Sequence, residues 1–553
     1  MCAQPTDSNN RPKDQDVDNQ PHLVPEDATT SVDPGIPPGF VLVGRCVHWN
    51  ATPSFTALAA LLEPKTNVKP GQFLGVWHGR RGLDLLTVVQ VGNAFEVNPN
   101  EVPDLAAARE ALGLGRGYGV EGVSTRIFRL AECRSVEEFD VREEGGVWRV
   151  VGEPRSPTTL ARAGDPVVLL PPEVTLQTVG SLARPSDGVN LGETYGAEAV
   201  PITLTTQMLQ LHTGVFGNPG KGKSYLSGVI LEEAWCWDVP TLALDVNGEL
   251  LGVAHMLGGL VITLPDPKSF GLSLNLLTPP ELVSVAPNVQ AGTIYAELIE
   301  LAHDQLRNES RERAITFNAL RQRIADIGES TKAAKTSIGA ATARVTALER
   351  DPLIGGDFDF VKQIVKHKLV VLDCRFLSLR QTQLIAAAAA RELQRIGREM
   401  GRKADAGDKD AARWFALYFV DEAHAVVPND DHVVSSQVLF ELARMGRHVR
   451  TGLVLSSQSP QDLNSSVLKR LQTRFVFALE RDQLRALQGV LADLDERIVE
   501  QLPKLPRGVC AVSGSSDVVR HGFLLRVRER RTPVGGRTPP VFENRTKATL
   551  KGE

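Results

Sequence analysis

Gly217-Asn218-Pro219-Gly220-Lys221-Gly222-Lys223-Ser224 decides how the rest of this chain is read. The short run Thr213–Phe216 stands before it and the helix-like residues 225–231 follow, an order that predicts strand, loop and helix. The pattern is a full G-x-x-x-x-G-K-S phosphate loop in its required setting. Its glycines let backbone N–H groups turn inward around phosphates, and the helix adds the unpaired N–H groups of its first turn. We assign Gly217, Asn218, Pro219, Gly220, Lys221, Gly222, Lys223, Ser224 and Tyr225 to nucleotide binding. Lys223 is placed for the β and γ phosphates, and the Ser224 hydroxyl for Mg²⁺.

Further along, the apolar residues 417–420 stop at Asp421-Glu422-Ala423-His424. Mg²⁺ takes hard oxygen ligands, and Asp421 offers a carboxylate for it. Glu422 is suited to orient or deprotonate the water that attacks the γ-phosphate. Alone, this tetrad reads first as an acidic turn at a strand end; with the phosphate loop upstream it points to ATP hydrolysis. His424 either couples to Glu422 or caps the next segment, with the structural role favoured. Gln458 follows a predicted strand at 452–456, where its amide can report the γ-phosphate or simply begin a turn. Asp245 and Glu249 either place water and Mg²⁺ or serve a turn in Asp245-Val246-Asn247-Gly248. Arg444, Arg447 and Arg450 fall within seven residues. An arginine from this stretch delivered to an adjoining subunit's nucleotide would stabilise transition-state charge; surface charge is the alternative. Arg470 and Arg474 are weaker candidates for that role.

The organisation is read outward from these motifs. Residues 1–37 carry seven Asp or Glu and almost no large apolar side chains, and are expected to form a disordered tail. Residues 38–178 hold short β-rich pieces with no βαβ rhythm, and a short helix is expected at 104–112. That pattern predicts a small barrel or sandwich, with scaffolding or docking as its role. The first part of the ATPase core spans 179–282 and opens with a Gly-, Pro- and Asp-rich hinge to about residue 200. Residues 283–350 read as a helical insertion. Its Arg307, Arg311, Arg313, Arg321, Arg323, Arg344 and Arg350 are interspersed with acids, so a solvated face is preferred to a DNA contact. The core resumes over 351–505, where five consecutive alanines from Ala386 to Ala390 let a long helix lie close to a sheet. Residues 506–553 form a β and basic extension that either crosses a neighbouring subunit or is a solvated tail. The order of elements predicts a mostly parallel α/β sheet.

At 553 residues, 42% hydrophobic and 23% charged, the chain has the composition of a multi-domain globular protein. A net charge of -5 gives no support for a nucleic-acid partner, although a ring with a basic inner wall and acidic outer wall averages to the same value. Six scattered cysteines with no C-x-x-C pair argue against a metal site or disulfide framework. No apolar N-terminal region or membrane-length run is read, so a cytoplasmic location without membrane insertion is expected.

The ordered set resembles the HerA-type ATPases of the HerA/FtsK superfamily. It comprises His212, Gly217 to Ser224, Asp245-Val246-Asn247-Gly248-Glu249-Leu250, Asp421-Glu422-Ala423-His424, Arg444-Met445-Gly446-Arg447 and Ser456-Ser457-Gln458-Ser459-Pro460. The resemblance implies a RecA-like P-loop core with an N-terminal HAS-type β-barrel. It further implies a homohexameric, ATP- and Mg²⁺-dependent translocase threading double-stranded DNA, working with a NurA-like nuclease in end processing and recombination repair. It implies a sensor role for Gln458 and an interface role for Arg447. One departure is Leu211, where the family often has a basic residue. Alternatives are a conjugation- or secretion-type pump and a nucleotide-switched scaffold.

Overall fold

The computed structural model describes residues 36, 40–50, 52–64, 66–79, 82–97, 128–144, 147–196, 199–290, 292–309, 314–429, 433–446 and 448–533. The expected tail (Ile36 apart), the helix expected at 104–112, Arg311, Arg313, Arg447 and everything from 534 onward lie outside them.

Two sheets organise the described residues. The first contains β1 (Leu42–Val47), β2 (Ala57–Leu62), β3 (Phe73–Trp77), β4 (Leu85–Val97), β5 (Phe128–Glu144), β6 (Val147–Arg155) and β7 (Pro166–Leu169). Their order is β2-β1-β7-β3-β4-β5-β6, all antiparallel, with a further pairing between β2 and β5. β4 and β5 run 13 and 17 residues, much longer than the short pieces read from the sequence. Register shifts between Val88 and Val89 and between Val91 and Asn93 bend this pair without breaking its ladder. Val43, Leu58, Leu74, Val76, Val89 and Val91 fill a core of their own. Phe73, Trp77, Leu86, Val88 and Phe139 face the other way, into a cluster shared with the second sheet.

The second sheet has eleven strands. They are β8 (Val189–Thr194), β9 (Pro201–Leu204), β10 (Thr213–Phe216), β11 (Thr241–Asp245), β12 (Leu260–Thr263), β13 (Leu369–Asp373), β14 (Ala416–Val420), β15 (Thr451–Ser457), β16 (Thr473–Val476), β17 (Val509–Gly514) and β18 (Phe523–Val527). The order is β12-β13-β11-β14-β15-β10-β16-β17-β18-β8-β9. From β12 to β16 every pairing is parallel; from β16 to β9 every pairing is antiparallel. The fold is α/β with a RecA-like mixed core sheet. β10, β11, β14 and β15 are buried along their whole length, as strands covered on both faces must be.

The stretch read as a hinge is different in the structure. β8 and β9 lie within or beside it and close the antiparallel end of the sheet. Val189 and Leu191 are fully buried there, so alternating burial outweighs the turn-forming composition around them. The expected insertion forms helices Ile294–Glu309, Phe317–Ser330 and Lys335–Leu348 between β12 and β13. Its Arg321 pairs with Glu349 and Arg323 with Glu309, both at 2.6 Å, which is the solvated-face reading. The helix Leu379–Asp405 buries all five alanines, and the Tyr418 hydroxyl donates to the Ala386 carbonyl at 3.3 Å. No helix among the described residues is long and apolar enough to cross a membrane.

Candidate active site

In a parallel sheet, neighbouring strands end on the same side, and here the ends gather the motifs. Phe216 pairs with Ser457, Val420 with Leu455, and Leu244 with Val420. The loop after β10 therefore lies beside Gln458, and next to it stand Asp421 and Glu422, then Asp245 to Glu249. Open α/β sheets bind ligands at this carboxyl edge.

The loop is pinned by its backbone. Asn218 N–H donates to Ala478 O at 3.0 Å, Lys221 N–H to Asn218 O at 3.3 Å, and Gly508 N–H to Lys221 O at 2.9 Å. Gly222 holds φ +126°, and a Cβ there would meet the Phe477 ring at 2.8 Å; only glycine admits that conformation and approach. The helix Lys223–Cys236 begins immediately after it.

Charge is concentrated where the helix starts. Lys223 Nζ donates to Glu422 Oε1 at 2.7 Å and stands 4.0 Å from Asp421 Oδ1. Asn247 Nδ2 donates to the same Glu422 oxygen at 3.2 Å. The Ser224 hydroxyl donates to Glu249. His424 Nδ1 shares a hydrogen bond with Ser457 Oγ at 3.1 Å and lies 3.3 Å from Glu422 Oε2 without bonding it. Asp245 accepts from the N–H groups of Gly248, Glu249 and Leu250, which is turn formation, and this turn presents Asn247 and Glu249 to the site.

Burial pushes the Asp421 carboxyl up to about 7; Lys223 opposes the shift, while Glu422, Glu249 and Asp245 add to it. Asp245 is pushed up to about 6, again chiefly by burial. Burial works against the Lys223 charge, but Asp421 and Glu422 outweigh it and hold the ammonium above the usual lysine value. Glu422 adopts left-handed φ 45°, ψ 51°, a conformation that costs a non-glycine residue roughly 1–2 kcal/mol. Strain of this kind accumulates at working sites.

Other sequence candidates lie elsewhere. His212 and Arg444 stand near the amino ends of β10 and β15, and His212 Nδ1 accepts from Leu453 N–H at 3.0 Å. At about 3.3 Å per residue, the seven residues of β15 separate Arg444 from its own phosphate loop by about 20 Å. Arg450 donates to the carbonyls of Ala411 and Ala412. Arg474 is buried against Val490 O, and Arg470 lies over the Phe440 ring. Of these, Arg444 is the exposed one.

Residues 189–393 match the family described as Helicase HerA, central domain. This chain carries a HerA-type ATPase domain of the HerA/FtsK superfamily. It is similar to the DNA double-strand break repair helicase HerA of Sulfolobus acidocaldarius, at 24% identity over 69% of this chain and 76% of that protein. The protein of the same name from Sulfurisphaera tokodaii is 22% identical over 70% and 77%. Among solved structures, VirB4 of Thermoanaerobacter pseudethanolicus is similar with a TM-score of 0.46 and 14% identity, covering 62% of this chain and 97% of that one.

The HerA-type domain is a P-loop ATP hydrolase and uses a nucleotide. Its donor set also fits a divalent cation. Asp421 and Glu422 share the Lys223 ammonium, and among the described residues Asp421 Oδ2 is buried with no hydrogen-bond partner, a cost that a cation or its water would relieve. Sequence reasoning left Asn247 inside a turn and missed the contribution of Ser457. It also missed Arg528 and Arg530, which lie against the HerA-type domain's phosphate-loop helix. Separations of 175 residues between Asn247 and Glu422 and 306 between Arg530 and Ser224 leave no local signal.

Proposed function

We propose that this chain is an ATP-driven translocase of double-stranded DNA that assembles as a homohexamer in the cytoplasm and acts with a NurA-like nuclease at DNA ends. The observation that carries the reading is the meeting of Lys223, Asp421 and Glu422 at one strand edge, with Arg444 at the opposite edge. The first group forms an engine. The second is too far from its own nucleotide to serve it, which supports delivery of arginine, Arg447 above all, to a neighbouring subunit.

In the hydrolytic step, the loop N–H groups and Lys223 hold the β and γ phosphates, and Gln458 monitors the γ-phosphate from the adjacent strand end. Lys223 leaves Glu422 when it moves to phosphate, freeing the carboxylate to accept a proton from the attacking water. Asn247 holds Glu422 in position. Ser224 and Asp421 would hold Mg²⁺, which when bound neutralises charge on the phosphates. Relatives named as DNA double-strand break repair helicases support the choice of DNA. The N-terminal sheet, whose pairings run through six strands and return from β5 to β2, supports a HAS-type barrel used for docking.

The test is ATPase rate with and without linear duplex DNA, with native mass measured on the same sample. Stimulation by DNA, a six-subunit mass and DNA affinity that falls steeply with salt are expected. Slow turnover indifferent to DNA would make the chain a nucleotide-switched scaffold instead.

A further inference from the structure

The basic ending, expected to cross a neighbour or trail into solvent, packs on its own chain as far as residue 533. After β18 it turns back over the outer face of its own phosphate-loop helix. Glu232, only 3% exposed, accepts from Arg531 N–H at 2.8 Å, Thr532 N–H at 2.7 Å, the Thr532 hydroxyl at 2.8 Å and Arg528 Nη1 at 2.9 Å. Arg528 Nη2 donates to Glu233 at 2.8 Å. Such charge-assisted bonds to a buried carboxylate are among the stronger ones available to a strap.

Arg530 reaches the front of the helix. Its backbone N–H donates to the Tyr225 hydroxyl at 2.6 Å, and its Nη1 to the Ser224 carbonyl at 3.2 Å. Its Nε and Nη2 are held by Thr532 Oγ1 and Pro533 O at 2.9 and 2.7 Å. The guanidinium lies directly on Gly228, where an added Cβ would come within 2.3 Å of Nε. Glycine inside a helix is less favourable than alanine, and here it makes the room that Arg530 occupies. Pro533 continues to Gly252, whose Cβ would lie 3.0 Å from its carbonyl. Gly252 is in the helix Leu251–Leu257, which opens just after Glu249, the acceptor of the Ser224 hydroxyl. The strap therefore touches both elements that carry the Ser224–Glu249 contact. A carbonyl in a helix's first turn already has its intrahelical partner, so the bond from Arg530 orients that turn and is not needed to satisfy it.

We propose that Arg530 is a positioning residue for nucleotide and Mg²⁺ binding, acting through the Ser224 backbone and the Tyr225 hydroxyl from a strap formed by residues 528–533. The proposal rests on the reading of Ser224 as a Mg²⁺ ligand, and the same experiment tests that reading separately. ATP KM, kcat and Mg²⁺ half-saturation are measured on the full chain, together with Tm. Arg530→Ala is expected to raise ATP KM and Mg²⁺ half-saturation about tenfold, the loss of one charge-assisted contact, with kcat changed much less. Gly228→Ala displaces the guanidinium while favouring the helix and is expected to shift the same two constants; it is read alone if Arg530→Ala does not fold. Arg530→Lys keeps a cationic donor and recovers part of the loss. Arg531→Ala, whose side chain is exposed, leaves both constants unchanged. A fall in Tm with both constants at parental values in Arg530→Ala or Gly228→Ala would overturn the proposal, as would an equal effect of Arg531→Ala. Ser224→Ala with normal Mg²⁺ dependence would overturn the ligand reading alone, and ATP KM would still judge Arg530.

Discussion

Glu138 in the N-terminal sheet and Asp421 at the edge of the parallel sheet are 0% and 1% exposed, yet their acidities move in opposite directions. Burial alone raises both. At Glu138 it is outweighed by donors: Thr158 N–H and hydroxyl, Thr159 N–H and Arg155 all bond the carboxylate, holding it below the usual glutamate value. At Asp421, among the described residues, one oxygen has no hydrogen-bond partner and Lys223 stands 4.0 Å from the other, so burial prevails and pushes the carboxyl up to about 7. A buried acid with every lone pair answered holds a fold together. A buried acid left short of donors among other acids is prepared for something that arrives later.

That contrast is most severely tested by turnover. Lys223→Ala and Glu422→Gln should each lower phosphate release by at least about a hundredfold, while Glu422→Gln still binds a non-hydrolysable ATP analogue. Glu138→Gln should leave turnover of folded protein unchanged, and a comparable loss there would break the comparison. Arg447→Ala should also lose hydrolysis and keep binding. Mixing it with Lys223→Ala subunits should restore some turnover at interfaces where both groups are intact.

Stability gives the next effect. Glu138→Gln strands several donors and should cost roughly 2 kcal/mol, seen as a lower Tm. Asp421→Asn removes a charge that lacks compensation and should raise Tm slightly while abolishing turnover.

The pH dependence sharpens the same point without nucleotide or metal. Between the ordinary aspartate value and about 7, native Asp421 holds a proton that the unfolded chain has released. Its contribution to stability therefore falls as pH rises through that window. The Tm advantage of Asp421→Asn should be larger at pH 8 than at pH 5, measured in chelator. Glu138 has the opposite sign: its contribution is present above the unfolded glutamate value and is lost as pH falls through its depressed native one. The Tm deficit of Glu138→Gln should therefore shrink in acid. The smallest change is expected from Arg395→Ala, whose pairs with Glu392 and Glu399 are surface contacts and should shift stability by less than about 1 kcal/mol.

Parts of the fold differed in how legible they were. Strands buried on both faces, such as β14 and β15, announce themselves as apolar runs ending in polar motifs, and their order along the chain already implied a parallel sheet. The N-terminal strands were underestimated because β4 and β5 carry polar residues and bulges that interrupt alternation while the ladder continues. β8 was hidden by the glycines, prolines and acids around it. It became a strand because β18, more than 300 residues later, supplies its hydrogen-bonding edge.

The sequence by itself determined which chemical groups stand at the candidate site. The loop from Gly217 to Ser224, the acids after β14 and the glutamine after β15 follow from local rules of turn, helix start and apolar strand. Only the tertiary structure decided which of those groups touch. It joined Lys223 to Glu422, Ser224 to Glu249 and Arg530 to the Ser224 carbonyl, and put Arg444 at the far edge of the sheet. The reason is that spacing and periodicity act over a few residues, whereas the sheet order and the returning strap bring together groups hundreds of residues apart.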